Sequence, residues 1–156
     1  MIDFALTADA VAPQLLGCTL THAGVSIRLT EVEAYLGAED SAAHTFNGKT
    51  PRNAAMFGPP GRFYVYISYG IHRNVNIVCA PDGTGQGCLL RGGEIIEGAD
   101  IAFARRGTTD FHNLARGPGN LGKALGFTLE DNHQPIQIIE RTSEPEWVRG
   151  PRIGIS

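Results

Sequence analysis

The sequence predicts an α+β fold, with a curved, mostly antiparallel sheet, peripheral helices and a protruding hairpin. Segments rich in β-branched and aromatic residues follow one another through short turns, which is typical of neighbouring antiparallel strands. Helical patterns flank these segments instead of alternating with them. A length of 156 residues suits one domain with one core.

The first elements are a helix and a hairpin. A helix is predicted over 7–16, with Thr7 as its cap and Gly17 at its end. A hairpin is predicted over 18–36, because Gly24 supplies a turn and β-branched residues follow it. Residues 37–61 hold four glycines and three prolines, which indicates a loop with one helical turn near 53–56.

The second half of the chain alternates strands and turns before it becomes helical. Strands are predicted at 62–68, 74–79 and 88–96. A helix is predicted over 97–104, another after Gly117-Pro118-Gly119, and a late strand over 135–140. Asp3 and Asp9 interrupt the N-terminus, so it does not read as a signal peptide. No stretch approaches the ~20 apolar residues that span a bilayer, so no membrane association is expected.

The cysteines and the short motifs indicate whether a metal or a cofactor is expected. Three cysteines are an odd number and form no C-x-x-C pair, which argues against a disulfide framework and a zinc site. They are interpreted as small apolar residues of a reduced, cytosolic protein. The chain has no P-loop, dinucleotide fingerprint or H-E-x-x-H signature. We therefore expect neither a metal nor a cofactor.

Charge is distributed unevenly along the chain. The net charge is −3, yet residues 1–48 carry one arginine against six acids, and residues 49–91 carry five basic residues against one acid. A local cationic face can bind phosphates even in an acidic protein. The alternative is an ordinary solvated surface, and charge alone does not decide between the two.

Charged residues lie inside two predicted strands. Strand periodicity places Glu31, Glu33 and Tyr35 on one face, which suggests a polar cleft or, alternatively, a solvent-facing edge. Arg91 lies in an apolar strand, where an arginine usually pairs with a carboxylate, and Glu33 is the natural candidate.

Aromatic and amide side chains alternate along the next strands. Tyr64, Tyr66 and Ser68 share a face, and Tyr69 lies where the strand ends, before a glycine. Aromatic rings beside basic residues suit nucleic acid, although aromatic strands are more often core. The alternating Asn74 and Asn76 are either buried with partners or exposed.

A set of short motifs occurs in a specific order between about residue 14 and residue 126. The motifs are Glu31-Val32-Glu33-Ala34-Tyr35-Leu36-Gly37, Asp40 and His44, Thr50-Pro51-Arg52-Asn53, Met56-Phe57, Tyr64-Val65-Tyr66-Ile67, Tyr69-Gly70, Asn76-Ile77, Leu89-Leu90-Arg91 and Ala115-Arg116-Gly117-Pro118-Gly119. In this order they resemble the alkyladenine (3-methyladenine) DNA glycosylase family.

The resemblance implies a catalytic centre and a stacking pocket. Glu33 would activate the attacking water, and Arg91 would help to hold the water and the carboxylate. Tyr35 would stack on one face of an extruded base, with His44 and Tyr66 on the other. A carboxylate that faces the sugar would stabilise the positive charge that builds there as the glycosidic bond breaks.

The resemblance also implies residues for selectivity and for DNA contact. Asn76 would exclude normal guanine by crowding its amino group, and Leu89 would line the pocket. Tyr69 would wedge into the minor groove in place of the flipped base, supported by Ile71. The DNA backbone would be contacted by Arg52, Arg73, Arg116, Gly117 and Gly119, the last three in a loop that leads into a helix N-terminus. That loop is equally read as a common turn before a helix.

The implied activity is that of a monofunctional glycosylase in base excision repair, which leaves an abasic site. Lys49 and Lys123 are the two lysines of the chain and neither lies in the pocket motifs, which argues against a Schiff-base lyase step. The expected partner is double-stranded DNA with alkylated or deaminated purines, bound by a monomer. The expected location is the cytoplasm of a bacterium, at the nucleoid, or the nucleus of a eukaryote.

Three further expectations concern the extent of the domain and its alternative functions. Residues 1–156 are expected to form one glycosylase domain. Members of the family continue past Arg152-Ile153-Gly154-Ile155 to one further strand, so either that strand lies beyond the given residues or the protein does without it. A catalytically inert module that binds lesions is an alternative function. A hydrolase of free nucleosides is another, and it would leave Tyr69 without a role.

Overall fold

The computed structural model describes residues 1–151 and contains a six-stranded antiparallel sheet with three α-helices. The strands are β1 (Thr19–His22), β2 (Val25–Tyr35), β3 (Phe63–Ser68), β4 (His72–Cys79), β5 (Gln86–Glu97) and β6 (Ile138–Ile139). The helices are α1 (Ala8–Leu15), α2 (Ala99–Arg106) and α3 (Pro118–Ala124). In space the strands follow the order β3-β4-β5-β2-β1-β6, which confirms the predicted α+β class.

The segment of residues 152–155, beyond which the final strand is expected, lies outside the described residues. Among the helices of residues 1–151, none combines the length and the apolar character needed to cross a membrane.

The long strands β2 and β5 form the middle of the sheet. They pair from Ser26 opposite Glu97 to Tyr35 opposite Gly87. The register shifts on both sides of Glu31, as at a β-bulge, and such irregularities bend a strand and re-aim its side chains. The bulge therefore lies immediately before the part of β2 that carries the predicted catalytic acid.

The main core lies on one face of the sheet, beneath the three helices. Its members are fully buried aliphatic and aromatic side chains, including Val11, Leu20, Ile27, Leu90, Leu121 and Phe127. Helix α3 lies so close to β4 that a Cβ atom at Gly122 would overlap the carbonyl oxygen of Arg73. Glycine is required there by the close approach of two backbones.

A second, smaller cluster covers the opposite face of the sheet. It contains Ala55, Met56, Tyr64 and Val78, with Tyr66 packed against it. The thioether of Met56 occupies the space that a side chain at residue 87 would take, because a Cβ on that glycine would collide with it. The loop before β3 is thereby fixed onto the face that carries the predicted site residues.

Several predicted elements differ in extent from the observed ones. The late strand predicted over 135–140 is reduced to Ile138–Ile139, because the backbone of residues 134–136 bonds to Gly61 and Phe63 at the start of β3 instead. Helix α2 begins two residues later than predicted, since β5 continues to Glu97 and Gly98 then takes a left-handed conformation.

Thr7 is the N-cap residue of α1, as predicted, but a residue of β5 supplies the hydrogen bond at the start of the helix. Thr7 occupies the N-cap position, but its side chain makes no capping hydrogen bond. The N–H of Ala8 donates instead to the side-chain oxygen of Gln86 on β5 over 3.0 Å. The start of α1 is thus tied to the middle of the sheet by a long-range contact that local sequence patterns do not contain.

Candidate active site

One row of side chains crosses four strands on the second face of the sheet. Glu33 on β2 lies opposite Leu89 on β5, Leu89 lies opposite Asn76 on β4, and Asn76 lies opposite Tyr64 on β3. Directly opposed residues in antiparallel strands project from the same face. Three residues that the motifs predicted for the site, Glu33, Leu89 and Asn76, are therefore neighbours in the folded chain.

The carboxylate of Glu33 is buried and lies beside two of its predicted partners. The side chain is 7% exposed. The hydroxyl of Tyr35 donates to Glu33 Oε1 over 3.4 Å, and Arg91 Nη1 lies 3.7 Å from the same oxygen. Arg91 Nε also donates to Glu31 over 3.1 Å, so the arginine is shared between two acids. The predicted pair of Glu33 and Arg91 is present, and Glu31 is an additional member.

His44 and two tyrosines form an aromatic group beside this row. The ring centroids of His44 and Tyr66 are 4.1 Å apart, and His44 Nδ1 lies 3.3 Å from the hydroxyl of Tyr64. Partial burial, assisted by the positive charge of Arg52, lowers the pKa of His44 below its usual value. Its imidazole is therefore neutral at neutral pH. Burial raises the pKa of Tyr64 to about 12, so its phenol is also uncharged.

This aromatic group borders a cavity of about 460 Å³. Its lining also includes Asn47, Gly48, Thr50, Arg52 and Tyr69. The volume falls within the roughly 300–1,000 Å³ of small-molecule sites. The cavity can therefore accommodate a group as large as a purine.

A buried amide holds the loop that carries His44. Asn53 Nδ2 donates to the carbonyl oxygens of His44 and Gly48 over 3.0 and 3.2 Å, and its Oδ1 accepts from the N–H of Thr50 over 2.7 Å. Asn53 is thus bonded at both ends of its amide, and it ties together the loop over residues 44–50.

Both asparagines of β4 are buried and bonded toward β3. Asn76 is 3% exposed and donates through Nδ2 to the backbone oxygen of Tyr64 over 3.3 Å. Asn74 is 7% exposed and donates through Nδ2 to the hydroxyl of Tyr66 over 3.1 Å. The sequence left burial and exposure open for these residues, and the structure shows burial.

The predicted wedge lies at the tip of the hairpin formed by β3 and β4. Tyr69 is 93% exposed and Ile71 is 75% exposed. Tyr69 has a φ of +52°, and Gly70 after it is also positive, as in the tight turns that match strand twist. A bulky residue with positive φ is unusual and strained. An exposed aromatic side chain held in such a turn calls for a functional reason.

The predicted backbone contacts are spread over two surfaces. Arg52 donates to the carbonyl of Ile67 over 2.9 Å and so supports the hairpin, while Arg73 and Arg116 are exposed. Gly117 precedes α3 with a positive φ, and Gly119 lies against the ring of His72. The structure therefore places Arg52 at the cavity and the other four residues near β4 and the start of α3.

Glu33, the predicted catalytic acid, does not line the cavity of the predicted stacking residues His44 and Tyr66. Glu33 borders a larger one of about 880 Å³, formed by β2, α1 and the segment over residues 145–151. Its electrostatic influence nevertheless extends to Tyr66. Burial raises the pKa of Tyr66, an N–H from Asn74 lowers it, and the Glu33 carboxylate raises it further. The two groups thus belong to one electrostatic environment.

Besides Glu31, three residues of this environment were not among the predicted site residues. They are Tyr64, Asn53 and Asn74. Tyr64 and Asn74 were placed on strand faces by periodicity, but nothing in the sequence distinguishes an exposed face from a covered one. Asn53 is the last residue of the Thr50-Pro51-Arg52-Asn53 motif, and its position in that motif was the indication in the sequence that it belongs to the site.

Comparison with known proteins identifies the family. The sequence model described as methylpurine-DNA glycosylase (MPG) matches residues 2–156. A relative from Corynebacterium efficiens is 67% identical over 99% of this chain and 84% of its own length, and one from Cutibacterium acnes is 51% identical over 100% and 88%. A relative from Mycobacterium leprae is 46% identical over 97% and 77%. All three are named as 3-methyladenine DNA glycosylases. The chain belongs to the methylpurine-DNA glycosylase family.

Proposed function

We propose that this protein is a monofunctional DNA glycosylase that removes damaged purines from duplex DNA as a monomer. Membership of the family makes it a 3-methyladenine DNA glycosylase, a hydrolase of N-glycosyl bonds that acts on DNA in the repair of alkylation damage. The finer proposal concerns the mechanism, which rests on base flipping and on a water activated by Glu33.

The observation that carries the mechanism is the placement of the Glu33 carboxylate. It is buried, lies within 3.4 Å of the Tyr35 hydroxyl and 3.7 Å of Arg91, and shares a sheet face with the aromatic cavity. Glu33 takes a proton from the attacking water as the water oxygen bonds to the sugar C1′. The C1′–N bond breaks, its electron pair stays on the base, and an abasic sugar remains. The carboxylate also opposes the positive charge that builds on the sugar.

The aromatic group suits a purine that alkylation has made cationic. Tyrosine faces attract a cation through the ring quadrupole. His44 adds no repulsion, because its lowered pKa keeps the imidazole neutral. A positively charged base also leaves readily without a general acid. Flipping costs least for bases that pair poorly, which adds a second preference for damage.

The experiment that tests the proposal is incubation with methylated duplex DNA, followed by chromatography of the released bases and gel analysis of the strands. We expect free methylated purine, including 3-methyladenine, and intact strands until alkali is added. Binding of lesion DNA without base release would favour the inert module instead. Strand cleavage without alkali would implicate a lysine, and Lys49 lies between two residues that line the cavity.

A further inference from the structure

Asn74 and Tyr66 face each other on β4 and β3, two pairs closer to the hairpin tip than Asn76 and Tyr64. The Asn74 amide is buried and donates through Nδ2 to the Tyr66 hydroxyl over 3.1 Å. Its Oδ1 is buried and has no hydrogen-bond partner among the described residues. A buried unpaired carbonyl costs free energy, so its presence requires a physical reason.

The direction of this hydrogen bond determines where the hydroxyl hydrogen of Tyr66 points. A phenol has one hydrogen and accepts through its oxygen lone pairs. When Asn74 Nδ2 donates to the oxygen, the hydrogen is directed away from Asn74. With the amide turned the other way, the carbonyl would accept that hydrogen. The unpaired Oδ1 is therefore the consequence of an arrangement that keeps the phenol hydrogen available.

The groups around Tyr66 determine the direction in which its hydroxyl hydrogen points. Its ring packs against His44 at 4.1 Å and Tyr64 at 5.7 Å between centroids. The carboxylate of Glu33 and the guanidinium of Arg52 act on its hydroxyl electrostatically. A negative carboxylate attracts the positive end of an O–H dipole, and a guanidinium repels it. Both charges favour a hydrogen that points toward Glu33.

We propose that Asn74 is a positioning residue that turns the Tyr66 hydroxyl into a hydrogen-bond donor, directed toward the Glu33 carboxylate and available to a nucleotide bound in the aromatic cavity. The inference rests on the proposed function, because the donor matters only if a nucleotide occupies this pocket. Asn74 itself acts through Tyr66 and need not touch the substrate.

The first test reads the state of Tyr66 without any enzymatic assay. The four tyrosines are labelled with ¹³C at Cζ, and the Tyr66 resonance is assigned with Tyr66→Phe. We expect Asn74→Leu to raise the pKa of Tyr66, because an N–H donor that stabilises the phenolate is lost. Asn74→Asp should raise it further, since a carboxylate would accept the hydrogen and repel the phenolate. An unchanged Tyr66 titration in Asn74→Leu would overturn the proposal.

The second test is a double-mutant cycle on single-turnover base release. Loss of one hydrogen bond should slow release by roughly two- to tenfold in Asn74→Leu. In a Tyr66→Phe background the same change should have no further effect, because the hydroxyl is already absent. An equal loss in both backgrounds would contradict the proposal. Asn113→Leu, on an exposed turn, is the matched control.

Two precautions keep the outcomes distinguishable. If Asn74→Leu fails to fold, as judged by circular dichroism, Asn74→Ser removes the same amide with a smaller change in polarity. If the unaltered protein releases no base from methylated DNA, the proposed function fails, whereas the Tyr66 titration still decides the claim about Asn74.

Discussion

Asn76 lies at the centre of the row that crosses the site, between Leu89 and Tyr64. Its amide is held by one hydrogen bond to the backbone of β3, so its position is defined before any base arrives. We propose that this fixed amide, which lies on the sheet face of the aromatic cavity, rejects a normal guanine by crowding its exocyclic amino group. The rejection is steric, and it should weaken when the side chain is shortened.

We therefore expect Asn76→Ser to release unmodified guanine roughly tenfold faster, since small changes in pocket volume are worth about 1–3 kcal/mol in discrimination. Release of 3-methyladenine should change less. The measurement is chromatography of bases freed from undamaged and methylated duplexes, with Asn113→Ser as the control. A guanine rate equal to that of the unaltered protein would remove Asn76 from the selection of bases.

The hairpin of β3 and β4 is the element that carries the predicted wedge. The hairpin of β3 and β4 presents Tyr69 at its tip, and Arg52 supports it through the carbonyl of Ile67. Tyr69 has almost no contact with the rest of the chain, so its removal should not affect folding. An aromatic ring that replaces a flipped base should instead contribute to the free energy of the complex with DNA.

We expect Tyr69→Ala to lower single-turnover release from lesion duplexes by about 10- to 100-fold, because base–aromatic stacking is worth about 1–3 kcal/mol. Tyr69→Phe should retain most activity, because stacking needs the ring and not the hydroxyl. Leu129→Ala, another exposed apolar residue, is the control. Equal rates for the alanine variant and the unaltered protein would show that the hairpin tip is not a wedge. Cleavage of free nucleosides would support the hydrolase alternative.

How far the sequence predicts this fold depends on the element. The first hairpin and the strands β3 to β5 were predicted to within a few residues, because alternation and turn residues are local signals. The late strand was overestimated, since residues 134–136 bond to the start of β3 across a long stretch of chain. Such long-range pairing leaves no local pattern.

The candidate site shows the same difference between what local sequence predicts and what the folded chain determines. The motifs named Glu33 and Arg91, and strand periodicity placed Glu31 on the face of Glu33. The sharing of Arg91 between both acids was not predicted, because it depends on the bulge beside Glu31. Whether Asn74 was buried or exposed also depended on what covers its face. Residue identity was therefore more predictable than the environment of each residue.

In the proposed mechanism, one buried carboxylate of the fold activates water for attack on the sugar. Glu33 has a matched neighbour for comparison in Glu31, which contacts the same arginine but is half-exposed. Loss of the Glu31 charge should have a modest effect, because solvent screens an exposed charge. Loss of the Glu33 charge should remove the general base that takes the proton from water.

The most direct measurement is single-turnover release of 3-methyladenine from duplex DNA by Glu33→Gln, beside Glu31→Gln and the unaltered protein. General-base catalysis is worth about 10²- to 10⁴-fold, so Glu33→Gln should lose at least about a hundredfold while lesion binding is largely kept. Glu31→Gln should lose less than about tenfold. Near-normal turnover by Glu33→Gln would contradict the account.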